Sequence, residues 1–156
     1  MESIATSGDE LRDLYRELIL DHARKPRHFG RLENPSHQAE GINPLCGDKL
    51  KIYLDIDSKN KITDVCFEGS GCAISVASAS LLAETIIDCS AEQVTNYFAA
   101  IIATLTNTEK QATIDLGKLK ALEGVKEFPT RVKCATLAWH TLNAAIKKQH
   151  KTVTTE

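Results

Sequence analysis

Lys49-Leu50-Lys51-Ile52-Tyr53-Leu54-Asp55-Ile56, then Asp57-Ser58-Lys59-Asn60, then Ile62-Thr63-Asp64-Val65-Cys66-Phe67-Glu68: this stretch decides the fold. In its first run Leu50, Ile52, Leu54 and Ile56 alternate with Lys51, Tyr53 and Asp55. Apolar residues at a period of two mark a half-buried strand. The four polar residues at 57–60 read as a turn, and 62–68 as the antiparallel partner strand with Val65 and Phe67 on its core face. Gly69-Ser70-Gly71 then breaks the strand, and a helix is expected from Cys72 to about Ile87. Its first turns are crowded with Ala73, Ser75, Ala77, Ser78, Ala79 and Ser80. Side chains this small let another element approach closely.

Upstream of the hairpin, residues 27–44 hold Gly, Pro, Asn and His without a period and read as a long loop, a feature often tied to function. Before it, Leu11, Leu14, Tyr15, Leu18, Ile19 and His22 recur at helical spacing, ending near Lys25 because Pro26 cannot continue a helix. Ser7 and Glu10 have capping-box spacing ahead of that helix, and His22 reads as a residue at the edge of its packing face. Downstream, a helix is expected over Ala91–Leu105 and irregular structure over 106–127. A last helix opens at Pro129, a residue suited to the first turn, and runs through Val132, Ala135, Leu137, Trp139, Leu142 and Ile146. These elements describe an α+β fold in one domain: residues 1–8 a flexible N-terminus, 9–147 the folded domain, 148–156 a disordered polar tail.

The composition narrows the function. A chain of 156 residues with 19 Lys and Arg against 21 Asp and Glu lacks the basic excess of a nucleic-acid binder. Aromatic residues at 5% offer little for base stacking. Tyr97–Leu105, the longest strongly apolar run, is about half of the ~20 residues a membrane helix needs. Met1–Gly8 has no apolar signal segment, so a cytoplasmic protein is expected. Five cysteines in that setting point to metal or thiol chemistry.

Three of them carry a signal. Cys46-Gly47-Asp48 sits where the loop meets the first strand. Residues two apart in extended chain point to the same side, and Gly47 allows a close turn between them. Cys72 opens a helix, where unpaired N–H groups and the helix dipole favour a thiolate. Cys134 follows Arg131, which shares its helical face, and Lys133. Each signal alone also fits a loop cysteine, a small helix-start residue or a core cysteine. Cys66 and Cys89 read as non-ligands, although spacing alone does not exclude Cys66, and His140 reads as a surface histidine. Three thiolates and a carboxylate carry more negative charge than a divalent ion neutralises, so Lys49, Arg131 and Lys133 are candidate partners of such a site.

Four stretches together resemble one family: Leu14-Tyr15-Arg16-Glu17-Leu18-Ile19, Asn43-Pro44-Leu45-Cys46-Gly47-Asp48, Gly69-Ser70-Gly71-Cys72-Ala73-Ile74-Ser75, and Arg131-Val132-Lys133-Cys134-Ala135-Thr136-Leu137-Ala138-Trp139. They are similar to the IscU/NifU N-terminal scaffold proteins of iron–sulfur cluster assembly, and within them to the SufU branch. Lys133 stands where IscU-type chains usually have histidine, and an extra stretch within 106–123 resembles the SufU insertion. The resemblance implies an IscU-like fold, a small antiparallel sheet of about three strands packed against helices. It places the ligands of one site on Cys46, Asp48, Cys72 and Cys134, with Arg131 and Lys133 beside them. It implies zinc, or alternatively iron or a [2Fe–2S] cluster. It implies sulfur transfer onto Cys46 from a pyridoxal-phosphate cysteine desulfurase of SufS type, with a downstream scaffold or apo-proteins as recipients. A cluster-assembling scaffold and a structural zinc module for protein contacts are the competing readings. Asp48, a hard ligand on a borderline-soft metal, is expected to be among the easier ligands to exchange.

Overall fold

A computed structural model describes residues 8–106 and 114–155 of the chain. The elements are α1 (Gly8–Arg24), β1 (His37–Asn43), β2 (Asp48–Ile56), β3 (Ile62–Ser70), α2 (Ala73–Ile86), α3 (Ala91–Leu105), a run of 3-10 turns (Gly117–Glu127), α4 (Pro129–Ile146) and β4 (Val153–Thr154). The four strands form one sheet in the order β3-β2-β1-β4.

The alternation in β2 does what its period requires. Leu50, Ile52 and Leu54 turn to one face and are fully buried there. Across the hairpin Ile52 pairs with Phe67 and Leu54 with Val65, so both strands bury the same face. The turn at 57–60 is closed by the Asn60 N–H donating to Asp57 O at 3.0 Å, with Asn60 at φ 66°. Asparagine tolerates that left-handed conformation better than most residues.

Helices cover the buried face. In α4 the run from Cys134 through Trp139 is buried without interruption, as expected of a helix wrapped by the sheet on one side and helices on the others. The small residues of α2 serve close packing: Ser78 Oγ donates to Ala135 O of α4 at 2.6 Å. Ser90 caps α3, accepting from the Gln93 N–H while Gln93 returns the bond to the Ser90 N–H.

Several expectations are corrected. Residues 37–43 are not loop but a strand, β1, antiparallel to β2 with Ala39 opposite Ile52 and Asn43 opposite Asp48. The residues just before it are also tied down: the Gly30 N–H donates to Phe67 O at 2.8 Å, and the Phe67 N–H to His28 O at 3.0 Å. The sheet is mixed rather than purely antiparallel, because β4 runs parallel to β1. The C-terminal residues are therefore not all a disordered tail. Pairing with β1 satisfies an otherwise open strand edge, and Thr155 Oγ1 adds a bond to Lys133 O at 3.3 Å. Residues 117–127 are 3-10 turns that bury Leu119, Leu122 and Val125, while 107–113 lie outside the described residues.

On α1, Ser7 of the expected capping box lies outside the described residues, and Leu14 is 62% exposed rather than on the packing face. His22 is interior, not at the edge. Its Nδ1 meets Ser80 Oγ at 2.7 Å, and that oxygen also accepts from the Arg27 N–H at 2.8 Å. The other ring nitrogen, Nε2, lies 3.5 Å from Glu84 Oε1. His140 is half-buried, edge-on against the Phe98 ring at 5.5 Å, rather than on the surface.

Candidate metal centre

Four elements begin or finish at one end of the sheet, and polar side chains gather there. β1 ends at Asn43 and β2 begins at Asp48. Between them the chain turns tightly: the Cys46 N–H donates to Asn43 O at 3.3 Å, and Gly47 takes φ +73°, a region glycine enters without strain. β3 hands over to α2 through Gly71 and Cys72, the residue that caps α2. The first turns of α4 bring Arg131 and Cys134.

The ligand atoms of Cys46, Asp48 and Cys134 all lie within 4.8 Å of one another. Cys134 Sγ is 3.3 Å from Cys46 Sγ. Cys72 is joined through its backbone, its N–H donating to Asp48 Oδ1 at 2.9 Å. Its thiol is near enough to Cys134 to act on that residue's proton affinity. Asp48 is buried, and its second oxygen accepts from Asn43 Nδ2 at 3.4 Å. Asn43 Nδ2 also reaches Cys134 Sγ at 3.6 Å. So the ligand expected to exchange readily is held on both oxygens. Gly71 makes room for it: a Cβ there would stand 2.5 Å from Asp48 Oδ1.

Charge is distributed unevenly across the thiols. Burial pushes the Cys134 thiol far above the ordinary cysteine range, helped by hydrogen bonds with Cys46, Asp48 and Cys72 and by the negative charge of Cys72. Without a metal, Cys134 therefore keeps its proton and donates it to Cys46. The Arg131 guanidinium is pushed up chiefly by its interaction with Cys134. Arg131 is thus the cation beside the thiols. Lys49 points to Glu40, with Nζ 4.0 Å from Oε1, and Lys133 lines a cavity with Ile102, Thr136, His140 and Val153. Cys66 and Cys89 stand apart from this cluster, each pushed up chiefly by burial.

The donor set fits a soft or borderline metal. A tetrahedral zinc with sulfur bonds of about 2.3 Å spaces its donors roughly 3.8 Å apart, comparable to the separations here. The carboxylate is already oriented by two donors before any ion arrives. Beside Cys72 a cavity of about 670 Å³ opens, lined among others by Tyr15, Ile19, Val125, Phe128 and Arg131. Leu45 and Phe128 are exposed large apolar residues of the segments that carry Cys46 and Arg131. Among the described residues no helix is long and apolar enough to cross a membrane.

Asn43 joins the site without a chemical signature of its own in the sequence, where it stands just before the Pro44–Asp48 turn. Pairing with Asp48 across β1 and β2 brings it there.

The family model of the NifU-like N-terminal domain matches residues 14–155. The chain is 38% identical over 136 residues to the zinc-dependent sulfurtransferase SufU of Bacillus subtilis, covering 87% of this chain and 91% of that protein. It is 40% identical over 138 residues to the iron–sulfur cluster assembly scaffold protein IscU of Thermotoga maritima, covering 86% and 94%. Among solved structures, FiSufU from Fervidobacterium islandicum AW-1 superposes with a TM-score of 0.79 at 35% identity, covering 83% of this chain and 94% of that one.

Proposed function

Because this chain belongs to the NifU-like N-terminal domain family, we propose that it is a zinc-dependent sulfur acceptor of iron–sulfur cluster assembly, with Cys46 as the receiving thiol. The observation that carries the reading is the contrast within the site. Cys46 is partly exposed on a tight turn beside exposed Leu45, Cys72 is equally exposed but has its backbone fixed to Asp48 at the start of α2, and Asp48 and Cys134 are buried.

Cys46, Asp48, Cys72 and Cys134 are the residues that would hold the metal. Zinc, when bound, supplies the thiols in deprotonated form at neutral pH. The Cys46 thiolate attacks the outer sulfur of a persulfide on a cysteine desulfurase. The S–S bond of the donor breaks, its cysteine leaves as a thiolate, and a new S–S bond forms on Cys46. Sulfane sulfur changes hands with no net oxidation, and charge is conserved. Arg131, beside the thiols, offsets the negative charge gathered there. Leu45 and Phe128 supply apolar area for a partner's docking. A SufS-type desulfurase as donor, and a scaffold or apo-proteins as recipients, complete the reading.

A second reading has support of its own. Thiolates hold iron–sulfur clusters as readily as zinc, and relatives named as IscU scaffolds are as similar to this chain as the sulfurtransferase is. Assembly of a [2Fe–2S] cluster on the same ligands followed by its transfer to an apo-ferredoxin would favour that reading.

Single-turnover transfer of labelled sulfur from the desulfurase separates the possibilities. Cys46→Ala is expected to abolish acceptance while the protein stays folded. Acceptance at the wild-type rate by Cys46→Ala would overturn the assignment.

A further inference from the structure

Asn43 is fully buried at the end of β1, opposite Asp48 in the strand register. Its amide has two N–H donors, and both lead to ligand atoms: Asp48 Oδ2 at 3.4 Å and Cys134 Sγ at 3.6 Å. Its Oδ1 is buried with no hydrogen-bond partner. A buried amide normally pairs both ends. This one leaves its acceptor unmet so that its donors face two groups that carry negative charge when a metal is bound. Turning the amide over would set its oxygen against the Asp48 carboxylate. The third ligand is treated differently. Asn43 reaches Cys46 only through the backbone, where Asn43 O accepts the Cys46 N–H at 3.3 Å. No bond from the Asn43 side chain restrains the Cys46 sulfur.

We propose that Asn43 is a positioning residue that holds Asp48 and Cys134 together as a pair while Cys46 is away from them. The proposal rests on the sulfur-acceptor reading, in which Cys46 must leave its neighbours to reach a donor. During that interval this chain's remaining ligands have one fewer negative donor beside them. One amide restrains two of them. The same residue thus separates two ligands gripped by its side chain from Cys46, which it holds only at the base of the turn and whose sulfur is bonded to Cys134 alone among the ligands.

The test uses zinc release from the full chain to a chromophoric chelator, in the native and in the Cys46→Ala background. Asn43→Leu keeps the branching and heavy-atom count of the side chain and removes both the donors and the unmet oxygen. In the Cys46→Ala background it is expected to speed zinc release by about tenfold or more, the usual scale for partners that orient metal ligands. With Cys46 present the acceleration is smaller. Asn43→Leu removes the unmet oxygen but also takes the donor from buried Asp48 Oδ2, so the discriminating readout is the comparison of release rates in the two backgrounds rather than melting. A purely structural asparagine predicts the same acceleration of release with and without Cys46. Equal release rates for Cys46→Ala with and without Asn43→Leu overturn the proposal, as does a Cys46→Ala protein that retains no zinc. Either result differs from failure of the acceptor reading itself, which is registered only by sulfur arriving on a protein without Cys46.

Discussion

Asp48 owes its place to what is missing at position 71. With no side chain there, the carboxylate can lie close to the start of α2 and accept the Cys72 N–H. Gly71→Ala puts a methyl group 2.5 Å from Asp48 Oδ1, so the carboxylate must shift and lose that bond. Charge-assisted hydrogen bonds contribute about 1.5–3 kcal/mol, and Gly71→Ala is therefore expected to weaken zinc binding by about tenfold or more. The fold is retained, because Gly71 is exposed. Competition against a chelator of known affinity measures this, and a wild-type affinity would show that Asp48 does not need the space. At this scale the sequence was legible wherever a residue had a chemical signature. Cys46, Asp48, Cys72 and Cys134 could be singled out from neighbouring residues and motif. Asn43 could not, because its role comes from a partner five residues away across a strand pair that its own composition does not announce. Lys49 was misread for the opposite reason. Its sequence position is next to Asp48, but alternation along β2 turns it to the other face, toward Glu40.

At the scale of elements, α1 is clasped to α2 by His22, Ser80 and the Arg27 backbone. Burial, together with the charge of Arg27, pushes His22 below its ordinary value of 6.5, against the opposing pull of Glu84 and Asp21; Lys118 adds to the lowering. A histidine held neutral in the folded state takes up its proton more readily when unfolded. Its contribution to stability is therefore complete above pH 6.5 and is lost as the pH falls through the lower, folded value. His22→Gln is expected to flatten the decline in stability between about pH 7 and about pH 5, read by urea unfolding at several pH values. His37 and His140 are also pushed down by burial and remain in the variant, so the difference between the two curves isolates His22. Parallel curves would show that the clasp tolerates the charge. Element boundaries were legible where period and punctuation agreed, as in β2, β3 and at Pro129 of α4. β1 was hidden because Gln38, Gly41 and Asn43 have poor strand propensity. Pairing with β2 and packing against α4 impose the extended form, an override familiar for strands. β4 is two residues long and gains its conformation wholly from the edge of β1.

For the molecule as a whole, the site is a consequence of topology. The β1–β2 turn, the β3–α2 junction and the start of α4 bring residues from three separate parts of the chain to one end of the sheet, and no local segment contains the site. Similarity to one family across nearly the whole domain joins the ligand signals, and the fold explains why they can act together. It also ranks them: Cys134 and Asp48 are buried and bonded, Cys72 is fixed at a helix start, and Cys46 lies on the turn beside exposed Leu45. Sulfur entry at Cys46 is the step on which the proposed function stands. The measurement that tests it most directly is peptide mapping by mass spectrometry after one turnover with labelled cysteine and a pyridoxal-phosphate desulfurase. The account predicts that the first labelled persulfide is on the peptide carrying Cys46, ahead of Cys66, Cys72, Cys89 and Cys134. Label appearing first on Cys72 or Cys134 would contradict it.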